Sequence, residues 1–181
     1  MTTFKIFAKS EKFVWTRSRI LFGIFLLSFG IFAIKFYFIN KKEFDVTIQI
    51  FGYICVGTVF LGLINSFQTE QLEGKLDGDL ILDFDKIIIN DNIYDLKEIK
   101  SMQIITGPIK GQLISSGTSI FWEKFSNGIN NELIIAMNSG EVIKCNFQIE
   151  HERKILQATD ELKHYVDEGK LSKENYVEIN R

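Results

Sequence analysis

The residues from which chemistry could be built are few: two histidines, two cysteines and a run of aspartates. His151 and His164 lie in a stretch with helical periodicity. At about 100° per residue they point about 220° apart around the axis, so they cannot share a metal ion or a substrate. Cys55 and Cys145 lack metal-ligand spacing, and their segments differ too much in character to place them in one disulfide. Asp77, Asp79, Asp83 and Asp85, within "DGDLILDFD", share one face if the stretch is a single strand. Such a carboxylate stripe could hold Ca²⁺ or Mg²⁺, although its commoner role is the solvated face of an amphipathic strand. The chain has no Gly-rich phosphate loop, no G-x-S-x-G, no H-E-x-x-H and no C-x-x-C. The expectation is of a protein that is not an enzyme, with no catalytic residues, no bound metal and no cofactor.

The most suggestive polar-poor chemistry is aromatic. Residues 109–131, "IKGQLISSGTSIFWEKFSNGINN", are irregular and rich in Gly, Ser and Asn, and they carry Phe121, Trp122 and Phe125. Exposed aromatics with such flanks anchor partner interfaces. The competing role is to fill the core of a small β-domain.

Behind these residues lie elements of two kinds. Residues 1–67 hold eight Lys/Arg against three Asp/Glu, and residues 68–181 hold 13 against 20. Net charges of +5 and −7 in one chain point to two environments. Residues 20–34, "ILFGIFLLSFGIFAI", carry no charge, and "KFYFI" extends the run to residue 39 at the cost of Lys35, which can snorkel from a helix end. Residues 46–67, "VTIQIFGYICVGTVFLGLINSF", are uncharged and long enough to span a hydrocarbon core of about 30 Å with some tilt. Gln49 and Asn65 are too few to line a transport pathway. The expected order is a basic N-terminal segment (1–19), a transmembrane helix (20–39), a short loop (40–45) and a second transmembrane helix (46–67). Lys5, Lys9, Lys12, Arg17 and Arg19 precede the first span and outnumber Lys35, Lys41 and Lys42, so the positive-inside rule puts both termini in the cytoplasm. The same five cations are the candidate contacts with the membrane surface. A bulky "KFYFIN" after the first span argues against signal-peptide cleavage.

The remainder reads as strands and then a helix. In "DLILDFDKIIIN" (79–90), Leu80, Leu82 and Phe84 alternate with polar positions. "DFDK" and "DN" (91–92) are turn signals. "LKEIKSMQIITG" (96–107) gives a short turn and a strand ended by Pro108. "NELIIAMNSGEVIKC" (131–145) is a hairpin with Gly140 free to take a positive φ. Residues 150–168 form an amphipathic helix on Ile155, Thr159, Leu162 and Val166, widened by Leu156 and Tyr165, with Gly169 just past its end. The tail, 169–181, holds one β-like run, "YVEI", and is an added edge strand or a mobile end. A folded domain over 73–168 follows: a small antiparallel sheet or barrel capped by its C-terminal helix.

The segments "LILDFDKIIINDNIYDLKEIKSMQI" and "SNGINNELIIAMNSGEVIKCNFQIE", with the helix after them, resemble a pleckstrin-homology-like (PH-like) domain. The whole chain is similar to bacterial membrane proteins that place two transmembrane helices before such a domain. The resemblance implies a membrane-anchored α+β protein of the bacterial cytoplasmic (inner) membrane. It implies a non-catalytic module that binds a protein partner or itself. A ligand- or metal-responsive accessory subunit is the alternative. PH domains that bind phosphoinositides use a basic cluster in the first strand-loop-strand. Here "LDGDLILDFDKIIIND" has five Asp and one Lys, which argues against phosphoinositide binding. A net −7 without a basic stripe argues against nucleic acid.

Overall fold

The computed structural model describes residues 1–39, 46–114 and 121–180. The chain divides into two compact units. One joins Met1–Glu11, Leu72–Leu113 and Ser126–Arg181; the other joins Lys12–Gln71 and Ile114–Phe125.

The first unit is α+β. Its seven strands are β1 (Thr2–Lys9), β2 (Gly74–Leu82), β3 (Lys86–Ile89), β4 (Asn92–Asp95), β5 (Ile99–Ile105), β6 (Asn131–Met137) and β7 (Val142–Gln148). They form one open antiparallel sheet in the order β4-β3-β2-β1-β7-β6-β5. The expectation of a basic N-terminal segment over 1–19, ahead of a domain that begins at 73, is therefore corrected. Residues Thr2–Lys9 are the central strand of the sheet. The physical reason is period-2 alternation: Thr2, Phe4 and Ile6 are buried, and Lys5 between them is exposed. Lys5 lies opposite Asp79 of β2 and Gln148 of β7. The chain leaves the sheet after β1 and re-enters it as β2, with Lys9 paired to Gly74. A Cβ on Gly74 would meet the Ala8 carbonyl oxygen and the Phe7 ring, so the re-entry point requires glycine.

The acidic stretch does not make one stripe. A bulge shifts the β1–β2 register between Lys5 and Phe7, with Gly78 at φ +89°, and β2 ends at Leu82. Asp83 and Asp85 thus fall in the turn to β3, where the Asp83 carboxylate accepts the Phe84 N–H at 3.0 Å. Asp79 pairs with the Lys5 ammonium at 2.8 Å.

The helical region also departs from a single rod. It breaks at Ala158 into α3 (Glu152–Gln157) and α4 (Thr159–Asp167). Ala158, Leu162 and Tyr165 are fully buried against the sheet, whereas Leu156 is exposed and does not widen the apolar face. The Tyr165 hydroxyl donates to the Asp83 carbonyl at 2.6 Å and fixes α4 to the β2–β3 turn. Gly169 terminates α4 at φ +69°. The tail is neither strand nor loose end: "YVEI" lies in a short helix, α5 (Lys173–Ile179). Ser172 caps it, accepting from the Asn175 N–H, and Ile179 and Tyr176 pack on the core. The Asn175 amide donates to the Ile104 carbonyl at 2.7 Å and accepts the Ile104 N–H at 2.8 Å. Together with the Met102 N–H bond to the Lys170 carbonyl (2.7 Å), this covers the edge of β5.

The second unit is an antiparallel pair of apolar helices, α1 (Arg17–Ile34), continued by a π-helical turn over Lys35–Ile39, and α2 (Val46–Ser66). Both are long and apolar enough to cross a membrane. The expected loop at 40–45 lies outside the described residues. Thr16 caps α1, its hydroxyl accepting from the Arg19 N–H.

Candidate functional site

Within the helix-pair unit, the start of α1, the end of α2 and residues 121–125 meet in a buried polar cluster. Glu123, Asn65 and Ser18 are 7%, 4% and 2% exposed. The Ser18 hydroxyl donates to the Glu123 carboxylate (Oε2) at 2.5 Å. The Asn65 amide Nδ2 donates to Ser18 Oγ at 3.0 Å and to the Phe121 carbonyl at 2.9 Å. Arg17 approaches the other Glu123 oxygen at 3.7 Å and donates to the Thr69 carbonyl at 3.1 Å. Backbone bonds from Lys124 N–H to the Ser66 carbonyl (3.0 Å) and from Glu70 N–H to the Phe125 carbonyl (2.8 Å) complete the attachment. Asn65 Oδ1 and Glu123 Oε1 are buried without a hydrogen-bond partner.

The three aromatics of the irregular segment are brought to the same place. Phe121 is buried, its ring 5.7 Å from that of Phe22 and 5.2 Å from that of Phe25. Trp122 lies 5.3 Å from Phe22 and is 41% exposed. Phe125 is half-buried and bridges to Thr69. None of the three belongs to the core of the β unit. The basic residues divide between the two units. Lys5 and Lys9 are on β1, Lys12 is exposed, and Arg17 is in the cluster. The Arg19 guanidinium donates to the Val14 carbonyl at 2.7 Å and sits 4.9 Å over the Phe13 ring. Sequence reading missed Ser18 and Glu123. The one signal for them was a charged residue, Glu123, between the bulky aromatics at 122 and 125.

The chain matches no protein-family model, no curated protein and no solved structure.

Chemically the cluster is a clamp. The serine hydroxyl is spent as a donor to a carboxylate and accepts from an amide, which holds three chain segments together. Elsewhere, His151 occupies the N-cap position of α3 without a side-chain capping bond, and His164 packs on Phe84, with ring centres 5.5 Å apart. Among the described residues, no three or more His, Cys, Asp or Glu gather as metal ligands. Both cysteines are free; burial pushes the Cys145 thiol up to about 11. Burial, reinforced by Glu161, also raises the Tyr165 hydroxyl. The Met1 ammonium is raised through its bond to the buried Glu161 carboxylate. A cleft of the β unit, about 600 Å³, lies between residues 106–112, α3 and α5. Its lining includes Lys110, Glu152 and Glu178.

Proposed function

We propose that this protein is a non-catalytic membrane module of the bacterial cytoplasmic membrane. α1 and α2 cross the bilayer, and the β unit is a PH-like domain on the cytoplasmic face that binds a protein partner or a second copy of the chain. One observation carries the anchoring. In the most apolar windows of the two helices only 6% and 22% of residues are buried. A core helix of a soluble protein would bury most of that surface. Leu27, Phe60 and Val56 are each more than half exposed and have lipid as their natural solvent.

The seven-strand antiparallel order and the helix laid on the sheet support the PH-like reading. Two features depart from it: the helical pair enters between β1 and β2, and α5 covers the β5 edge. The chain passes between the β unit and the helix-pair unit at four points, after residues 11, 71, 113 and 125. Such a multiple tether raises the effective concentration of whatever the domain binds at the surface, and no chemistry is required. Lys5, Lys9, Lys12, Arg17 and Arg19 favour the cytoplasmic side.

The test is crosslinking of the tagged full chain in its native membranes. A distinct stoichiometric protein makes it an adaptor, recovery of the chain alone makes it a self-associating module, and recovery of neither refutes the proposal. An active alkaline phosphatase fused to the C-terminus would overturn the orientation. A second reading, a ligand-responsive accessory subunit, is favoured by one feature. Gln148 is 3% exposed and lines a polar cleft of about 320 Å³ with Lys5 and Lys154, and its Oε1 lacks a partner. A saturable rise in melting temperature with a small polar ligand would favour that reading.

A further inference from the structure

The proposal above leaves residues 121–125 without a role, and their surroundings give them one. α1 continues as a span from Arg17 to Tyr37, 21 residues, or about 31 Å at 1.5 Å per residue, the thickness of the hydrocarbon core. Arg17 therefore marks the boundary. Phe22 lies about 7 Å and Phe25 about 12 Å along the helix from it. Phe121 touches both rings and Trp122 touches Phe22, so these two side chains share that depth.

Four backbone groups of the segment and one oxygen of its carboxylate are paired within the protein, and Glu123 Oε1 faces the Arg17 guanidinium at 3.7 Å. Hydrocarbon offers no water, so non-helical backbone and charge survive there only when satisfied by protein. The Phe121 carbonyl is taken by Asn65, the Lys124 N–H by Ser66, the Lys124 carbonyl by the Ile114 N–H and the Phe125 carbonyl by Glu70. The Glu123 carboxylate is buried on Ser18. What the segment turns outward is apolar or able to snorkel. Trp122 is 41% exposed, and the Lys124 ammonium lies 5.8 Å over the Phe67 ring. Phe13, Trp15 and Phe67, all largely exposed, flank the same helix ends. Trp at the headgroup level and Lys reaching outward are the pattern of a membrane interface.

We infer that residues 121–125 are a third membrane-embedded element, an interfacial loop that inserts Trp122 into the headgroup-proximal acyl region of the leaflet at the Arg17 end of α1. The occupant of this surface is lipid, not a soluble partner. The inference rests on the spanning reading of α1 and α2.

The chain has two tryptophans, so Trp15→Phe leaves Trp122 as the only indole and Trp122→Phe leaves Trp15. Both full-length variants go into vesicles of phosphatidylcholine and phosphatidylglycerol, with bromine placed at different depths of the acyl chains. In the Trp15→Phe protein we expect blue-shifted emission. Bromines near the glycerol end should remove most of it, and aqueous iodide should remove little. Strong iodide quenching with no effect of bromolipid, in vesicles that retain the protein after an alkaline wash, overturns the inference and leaves the spans intact. Loss of both variants in that wash sinks the spanning reading and this one with it.

Discussion

Removing α1, α2 and residues 114–125, which pack with them, should leave a soluble, folded domain, but only if β1 stays. The Gly111 N–H bond to the Ser126 carbonyl (2.8 Å) lets the gap between residues 113 and 126 be closed by a short turn. Lys9 is paired with Gly74, and the Ser10 N–H bonds the Glu73 carbonyl at 2.9 Å. The ends at residues 11 and 72 can therefore be closed by a short Gly-containing turn of about two to four residues. A fragment of residues 73–181, the boundary that the sequence invites, lacks the central strand. It loses the burial of Phe4, Ile6 and Phe7, which are 3%, 8% and 8% exposed. At about 1.5–3 kcal/mol per side chain, that is about 5–9 kcal/mol. It also leaves β2 and β7 with unpaired edges in the middle of the sheet. Against a typical total of about 5–15 kcal/mol, the fragment should be largely unfolded. Circular dichroism melts and amide correlation spectra of the two proteins decide the matter. The joined protein should melt cooperatively and give dispersed amide resonances. If residues 73–181 alone melt at the same temperature as the joined domain, the placement of β1 is wrong.

Other outcomes follow from single residues. Gly74→Val drives a side chain into the Ala8 carbonyl and should cost the joined domain about 1–3 kcal/mol, read from its urea midpoint. Asn175→Ala strips both partners from Ile104; about 1–3 kcal/mol of stability should go, with faster hydrogen exchange at the Ile104 amide as the specific readout. Burial lifts the Cys145 thiol from 9.0 to about 11. A folded value above the unfolded one means that stability is full below pH 9 and falls as pH rises toward 11, by up to about 2–3 kcal/mol. Tyr165 acts in the same direction, and Cys145→Val should remove the cysteine share from a urea titration repeated along the pH scale. Glu123→Ala leaves Ser18 and Arg17 without their acceptor and should expose residues 114–125 to protease in membranes. Glu123→Gln, which keeps an oxygen for Ser18, should not.

The legible parts of the chain were those decided by neighbours in sequence. The apolar helices show in uncharged runs, and the β6–β7 hairpin shows in alternation around Gly140. β1 was hidden because its lysines sit beside an apolar run, where basic residues have a ready explanation as a membrane flank. The Phe4-Lys5-Ile6 alternation was present but short, and its partners, Leu80 and Phe147, lie far along the chain. The tail misled through "YVEI", whose β-propensity lost to a Ser172 cap and to docking of Ile179 on the core. The clamp was invisible for a related reason. Ser18 and Glu123 are 105 positions apart, and Asn65 and Ser18 are 47 apart, so no local spacing announces them.

The insertion of the helical pair between β1 and β2 also constrains how the protein is made. The central strand leaves the ribosome before the other six strands, whereas β7, its second partner, comes more than 130 residues later. If α1 and α2 span the bilayer as proposed, both helices must enter it in between and return the chain to the side where β1 waits. A single crossing would strand β1 on one side and β2 on the other, and no sheet could form. On that reading the completed sheet requires both crossings, and a chain that crosses once leaves β1 and β2 as unpaired edges.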